Sequence, residues 1–145
     1  MELSFREATT DDVEATFEIK REAFRPYVEI VYGWDEVDQW RRHKAEFSCE
    51  TVRMVLIDGK EVGYVLVRSL PDALYLSQQF ILPGHQGRGI GAKCMALLQE
   101  KARRSGLPIR LQVFKANPRA QAFYTRLGFQ PVGESSTHIQ FEHSA

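Results

Sequence analysis

The residues best able to do chemistry begin with a glycine-rich turn. The stretch PGHQGRGIGAKC, residues 83–94, sets Gly84, Gly87, Gly89 and Gly91 between an apolar run ending at Leu82 and a helix-like segment starting near Ile90. Glycine loses more conformational freedom on folding than any other residue, so this density needs a physical reason. Successive backbone N–H groups in such a turn form a concave anion site. The following helix start adds unpaired N–H groups and partial positive charge. Without side chains in the way, a diphosphate can approach the backbone, and Arg88 can add a full charge. Two rival readings fit less well. Gly87-x-Gly89-x-x-Ala92 has the spacing of a dinucleotide fingerprint, but the acid expected about 20 residues on is missing from Pro108–Val113. Gly84 and Gly89 have the first spacing of a phosphate-binding P-loop, but Ile90 and Gly91 stand where Lys and Ser/Thr are needed.

A second constellation lies further on, in Asn117, Pro118, Ala120, Phe123, Tyr124, Leu127, Gly128 and Phe129. Asn before Pro suits a helix N-cap followed by proline at the first helical position. Ala120, Phe123, Tyr124 and Leu127 share one helical face, so by spacing Tyr124 reads as a core tyrosine with a satisfied hydroxyl. Gly128 reads as the helix stop. A third stretch, Tyr27–Glu36, is aromatic and acidic, with Glu29, Tyr32, Trp34 and Asp35. Asp35 suits a helix cap.

Together these residues resemble the GCN5-related N-acetyltransferases. The family's acetyl-CoA motif, Q/R-x-x-G-x-G/A, is matched by Gln86-Gly87-Arg88-Gly89-Ile90-Gly91. Its second motif, N-x-x-A-x-x-F-Y-x-x-x-G-F, is matched by Asn117, Ala120, Phe123, Tyr124, Gly128 and Phe129. The resemblance covers almost the whole chain, with residues 20–50 matching loosely. It implies that acetyl-CoA is the co-substrate and that backbone near Phe80 and Ile81 pairs with the pantetheine arm. It also implies that Gln86, Gly87, Arg88, Gly89, Ile90, Gly91 and Ala92 hold the pyrophosphate, and that Asn117 touches the arm. Tyr124 would protonate the departing thiolate as general acid. Glu29 is the candidate base or amine-binding carboxylate, with Tyr32 and Trp34 lining the acceptor side. One departure stands out. Many relatives carry a glutamate on the strand before the glycine turn, whereas this chain has Ser77, Gln78 and Gln79. Glutamine cannot act as a base. A non-catalytic CoA-binding module is therefore the alternative to an enzyme acting on a primary amine by direct attack.

The elements that must position these groups follow from periodicity. Leu3–Ala8 alternates as a strand, and Thr9-x-x-Asp12 opens a helix with Val13, Phe17 and Phe24 at helical spacing. Pro26 is expected to end it. A second helix over 35–47 should turn Val37, Trp40 and Phe47 inward. Two β-rich runs flank Asp58-Gly59 as a hairpin, and Leu74–Leu82 is the next strand. Ile90–Arg104 is a helix with Ile90, Cys94, Leu97 and Leu98 on one side. Pro108–Phe114 is a strand, and Asn117–Gly128 bounds the last helix. Phe129–Val132 and Thr137–Phe141 are closing strands. The order β-α-α-β-β-β-α-β-α-β-β predicts an α/β fold with a mixed, mostly antiparallel sheet.

Bulk properties narrow the field. The 145 residues suit a single domain, 1–145. Nineteen basic and nineteen acidic residues cancel, which argues against nucleic acid or an anionic membrane as partner. Cys49 and Cys94 belong to no motif and read as small buried residues in a reducing cytosol, and the N-terminus has no targeting pattern, so a cytoplasmic setting is expected. His43, His85, His138 and His143 form no ligand pattern, so no metal is expected. The resemblance adds that two copies could pair through the closing strands, as family members are often dimers.

Overall fold

The computed structural model describes residues 2–144. The strands are β1 (Leu3–Glu7), β2 (Val52–Ile57), β3 (Lys60–Ser69), β4 (Leu74–Ile81), β5 (Ile109–Phe114), β6 (Gln130–Glu134) and β7 (His138–His143). The helices are α1 (Val13–Val31), α2 (Glu36–Glu46), α3 (Ile90–Ser105) and α4 (Pro118–Arg126). The strands form one seven-stranded sheet in the order β1-β2-β3-β4-β5-β7-β6. Pairing is antiparallel for β1–β2, β2–β3, β5–β7 and β6–β7, and parallel for β4–β5. This is the mixed, mostly antiparallel architecture that the periodicity predicts, in the predicted order.

Backbone contacts group the chain into two compact units. One takes the residues up to Leu66 together with Gln78–Ile90, and the other takes Val67–Ser77 and the residues from Gly91 onward.

In the first unit, β2 and β3 turn on Asp58 and Gly59, whose φ values of 50° and 80° are both positive. That is the backbone of a tight type I′ hairpin. Ala8, Ile19, Val52, Met54, Leu56, Tyr64 and Leu66 make an apolar core, with Phe47, Phe80 and Leu82 packed on it. Thr9 and Asp12 open the helical region: the Thr9 N–H donates to the Asp12 carboxylate at 2.8 Å.

The structure corrects the end of α1. The helix passes through Pro26 and stops at Val31. Proline forfeits its own N–H and crowds the carbonyl four residues back, but the turns around it can compensate. Here Arg25 and Glu29 form an ion pair across Pro26, and Val28 is buried beyond it. The Tyr32 and Gly33 N–H groups donate to the Val28 and Glu29 carbonyls. Gly33 then leaves the helix at φ 77°. Val37 is corrected too: it is 76% exposed, and His43 takes the inward position on α2.

In the second unit, α3 buries Cys94, Met95, Leu98 and Ala102, while Leu97 is 56% exposed, contrary to expectation. Helical phase explains this: Met95, one residue after Cys94, takes the inward place that Leu97 was given. Gly106, at φ 67°, terminates the helix. Cys94 is buried as expected, but Cys49, in the first unit, is only partly so. The β4–β5 ladder pairs Leu74 with Ile109 and Tyr75 with Arg110. The Asn117 side chain caps α4 by accepting from the Ala120 N–H at 3.1 Å.

Candidate active site

The glycine turn is built as a tight exit from β4. The Leu82 carbonyl accepts from the His85 N–H at 2.8 Å, and the Pro83 carbonyl from the Gln86 N–H at 3.3 Å. The Gln86 side-chain amide turns back and donates to the Ile81 carbonyl at 2.9 Å, tying the loop to the strand end. Gly87 and Gly89 both take φ of 78°, a conformation that other residues adopt only with strain. A Cβ built on either would meet nothing within 4 Å, so the backbone there is open to a ligand. Ile90 is buried and fixes the point where α3 begins. The positive end of that helix therefore belongs to the same loop. Arg88 is exposed, and its guanidinium lies 3.5 Å from the His85 ring nitrogen.

Phe80 faces the interior of the first unit, where its ring packs on Phe24 at 4.8 Å and on Tyr64 at 5.7 Å. Gly63 on β3 makes the close strand approach possible. A Cβ there would lie 2.4 Å from the Phe80 carbonyl oxygen.

The acceptor-side candidates sit on the end of α1 and the short corner after it. Glu29 is exposed on α1 and paired with Arg25. Tyr32 is the helix cap and is exposed. The Trp34 indole N–H donates to Glu36 at 3.1 Å, its ring stacks on Phe17 at 6.2 Å, and the Arg25 guanidinium lies over it at 5.7 Å. Asp35 caps α2 by accepting from the Asp38 N–H at 2.9 Å. A cavity of about 590 Å³ is lined by Tyr32, Gly33, Trp34, Asp35, Asp38, Gln39 and Arg42. Tyr32 and Trp34 thus share one concave surface, and Glu29 is not among its lining residues.

In the second unit, the Tyr124 ring stands edge-on to Phe123 at 5.0 Å and to Phe129 at 5.5 Å. Its hydroxyl makes no hydrogen bond among the described residues. Burial holds the phenol proton well above a tyrosine's ordinary range. Cys94 is pushed up to about 11 by burial, so it is no nucleophile at neutral pH.

A polar network inside the first unit went unread in the sequence. Tyr64 is fully buried, and its hydroxyl donates to the Gln78 side-chain oxygen at 2.6 Å. Gln78 is 8% exposed, and its amide nitrogen donates to the Glu46 carboxylate at 2.8 Å. Lys20 is 6% exposed; burial pulls its pKa down, the Glu46 charge opposes that, and Arg42 adds to it. His43 accompanies them. Burial and then the Lys20 charge lower its pKa to about 4, so the ring is neutral. The signal was present as polar residues at inward positions. Lys20 falls on the Val13, Phe17, Phe24 stripe of α1, and Gln78 alternates with Leu74, Leu76 and Phe80 on β4.

Comparison with known proteins agrees with this architecture. Residues 13–129 match the model of the acetyltransferase (GNAT) family. An uncharacterised N-acetyltransferase of Mycobacterium tuberculosis is 34% identical over 104 residues, 68% of this chain and 67% of the relative. A Mycobacterium bovis counterpart matches equally. The PaiA N-acetyltransferase of Thermoplasma acidophilum, solved with coenzyme A, superposes with a TM-score of 0.82 at 16% identity, covering 100% of both chains. The ribosomal-protein-S18-alanine N-acetyltransferase of Escherichia coli gives 0.78 at 17% identity, covering 99% of this chain and 94% of that one. Fold and sequence define an acyl-group transferase. The chain belongs to the GNAT acetyltransferase family and is an enzyme of the N-acetyltransferase type. Among the described residues no cluster of His, Cys, Asp or Glu is arranged to hold a metal, and no helix is long and apolar enough to cross a membrane.

Proposed function

We propose that the protein moves an acetyl group from acetyl-CoA to a primary amine, by direct attack of the amine within a ternary complex. The observation that carries this reading is the turn at Gly87 and Gly89. Two left-handed glycines with no neighbour at their Cβ positions follow β4 and lead into a helix start. That arrangement suits a diphosphate held by backbone N–H groups. Gln86, Gly87, Arg88, Gly89, Ile90, Gly91 and Ala92 would hold it. Backbone at Phe80 and Ile81 would hold the pantetheine arm.

Acetyl-CoA supplies an activated acyl carbon with a thiolate leaving group. Tyr124 supplies the proton that the thiolate needs, a role supported by its unbonded hydroxyl and by the burial that keeps it protonated. Glu29, Tyr32 and Trp34 stand on the acceptor side. The acidic and aromatic character of this segment favours a cationic amine, small or peptidic. Two unpaired thiols, Cys49 and Cys94, support a reducing, cytoplasmic setting.

The buried glutamine on β4 favours a second reading, a module that binds acetyl-CoA without using it. One assay separates the two. Thiol release from acetyl-CoA is followed with polyamines, amino acids, aminoglycosides and lysine-bearing peptides against a no-amine control. Acceleration by one class, with the acetylated product seen by mass, supports the enzyme. Tight acetyl-CoA binding with no acceleration by any amine supports the binding module.

A further inference from the structure

We propose that the carboxylate missing from β4 is supplied by Glu46 of α2, which takes the proton from the attacking amine. Gln78 and Tyr64 act as positioning residues. The inference rests on the acetyltransferase reading above and deepens it.

The argument starts from donor and acceptor roles. Tyr64 is buried, and burial, then the Glu46 charge, keep its phenol protonated. A phenol can donate or accept, but the Glu46 carboxylate only accepts, so the Gln78 amide turns its nitrogen to Glu46 and its oxygen to the Tyr64 hydroxyl, which donates at 2.6 Å. The Gln78 nitrogen is turned outward and donates to Oε2 of Glu46 at 2.8 Å. A glutamate at 78 could not make this bond; it would set two carboxylates against each other. The glutamine is thus the residue that a carboxylate arriving from α2 requires.

Placement also suits the role. Gln78 and Phe80 are two residues apart on β4, so their side chains share one face, roughly 7 Å apart along the strand. Glu46 is exposed, and its Oε1 has no hydrogen bond among the described residues. One oxygen is held and the other is available. The titratable groups that feel its charge are Lys20 from α1 and Tyr64 from β3, while Arg42 and His43 from α2 act on Lys20 or are acted on by it.

The step balances. A neutral amine forms the C–N bond, and one N–H proton passes to Glu46. The C–S bond breaks with its electron pair on sulfur, and the Tyr124 hydroxyl proton goes to that sulfur. One proton returned from Glu46 to Tyr124 through solvent resets both side chains.

The test uses the full chain as wild type, Glu46→Gln, Glu46→Asp, Glu29→Gln and Tyr64→Phe. Acetyl transfer is measured from pH 5.5 to 9.5, coenzyme A binding by calorimetry, and the Glu46 carboxyl by carbon NMR titration without ligand. The expected result is a loss of about 10²–10⁴-fold in kcat for Glu46→Gln at unchanged coenzyme A affinity. The fall of kcat/KM at low pH should vanish with it and, in wild type, should track the NMR titration of Glu46. Glu46→Asp should restore part of the rate, and Tyr64→Phe should lower kcat without removing the low-pH fall. If Glu46→Gln keeps kcat within threefold and keeps that fall, the inference is overturned while the acetyltransferase reading stands. A loss confined to Glu29→Gln overturns it too and assigns the proton to α1. If wild type binds coenzyme A but transfers acetyl to no amine, the reading itself fails, and this inference with it.

Discussion

Gly63 stands so close to Phe80 that a Cβ on the glycine would lie 2.4 Å from the phenylalanine carbonyl oxygen. The obstacle is backbone, with the Ile81 Cα at 3.2 Å behind it, so neither strand can yield by a rotamer change. Gly63→Ala should cost about 1–3 kcal/mol of stability by forcing β3 and β4 apart. Urea unfolding is the measure. Because the same carbonyl belongs to the β4 segment proposed to hold the pantetheine arm, coenzyme A affinity should fall as well. An alanine variant with wild-type midpoint and affinity would show that the strands can slide without consequence.

Gly89→Ala is expected to separate folding from binding. Nothing within 4 Å meets the new methyl in the free protein, so its cost there is the left-handed φ of 78°, about 1–2 kcal/mol. In the complex the methyl would stand where a diphosphate approaches the backbone. Calorimetry with coenzyme A should show a loss of tenfold or more, and dephosphorylated pantetheine should lose much less.

Tyr124→Phe removes a hydroxyl that has no hydrogen bond among the described residues and keeps the ring contacts to Phe123 and Phe129. Thermal stability should be nearly unchanged. Turnover should fall about 10²-fold or more, with coenzyme A affinity retained. Equal turnover in the two proteins would assign the tyrosine to packing alone.

His43 gives the fold a dependence on pH. Its Nε2 meets the Thr16 hydroxyl at 2.8 Å, and that hydroxyl lies 2.8 Å from the Asp12 carbonyl, which it can donate to. The proton therefore belongs on Nε2, and Nδ1 is buried without a partner. Protonation would place an unpaired N–H and a positive charge near Lys20. The folded value of about 4 lies below the ordinary 6.5, so the unfolded chain takes the proton first as pH falls. The contribution is whole above pH 6.5 and is lost as pH drops toward 4, amounting to about 3 kcal/mol. Urea midpoints at pH 7, 5.5 and 4 should fall more steeply for wild type than for His43→Phe, which keeps the aromatic contacts and cannot titrate.

Periodicity and turn chemistry made most of the fold legible. Asp58-Gly59 announced its hairpin, and Asn117-Pro118 and Asp35 announced their helices, because these signals act over a few residues. Pro26 misled, since the penalty of a proline is local while the burial of Val28 and the Arg25–Glu29 pair that offset it are set by folding. Leu97 misled because an exposed leucine costs little, and no pattern of types separates it from Met95. At the candidate site, the glycine turn stood out by spacing, and Tyr124 through the motif it shares with the acetyltransferases. The Tyr64–Gln78–Glu46 chain did not, because its members lie on three elements and only pairing of those elements brings them together. Lys20 and Gln78 at inward positions were the available hint: a polar group that folding buries must meet a partner supplied from elsewhere.

The corner between α1 and α2 has a consequence for how such an enzyme diversifies. Its path is set by Gly33, which alone takes the left-handed turn there, and by Asp35, which pins the next helix. Tyr32 and Trp34 alternate with them: the Tyr32 N–H closes the last turn of α1, and the Trp34 ring is held by Phe17, Glu36 and Arg25. The segment therefore works as a cassette in which Gly33 and Asp35 set the backbone path and the side chains at 32 and 34 set the surface. A change of ring at 34 alters the seat on α1 as well as the surface, whereas a change at 32 leaves the backbone cap in place.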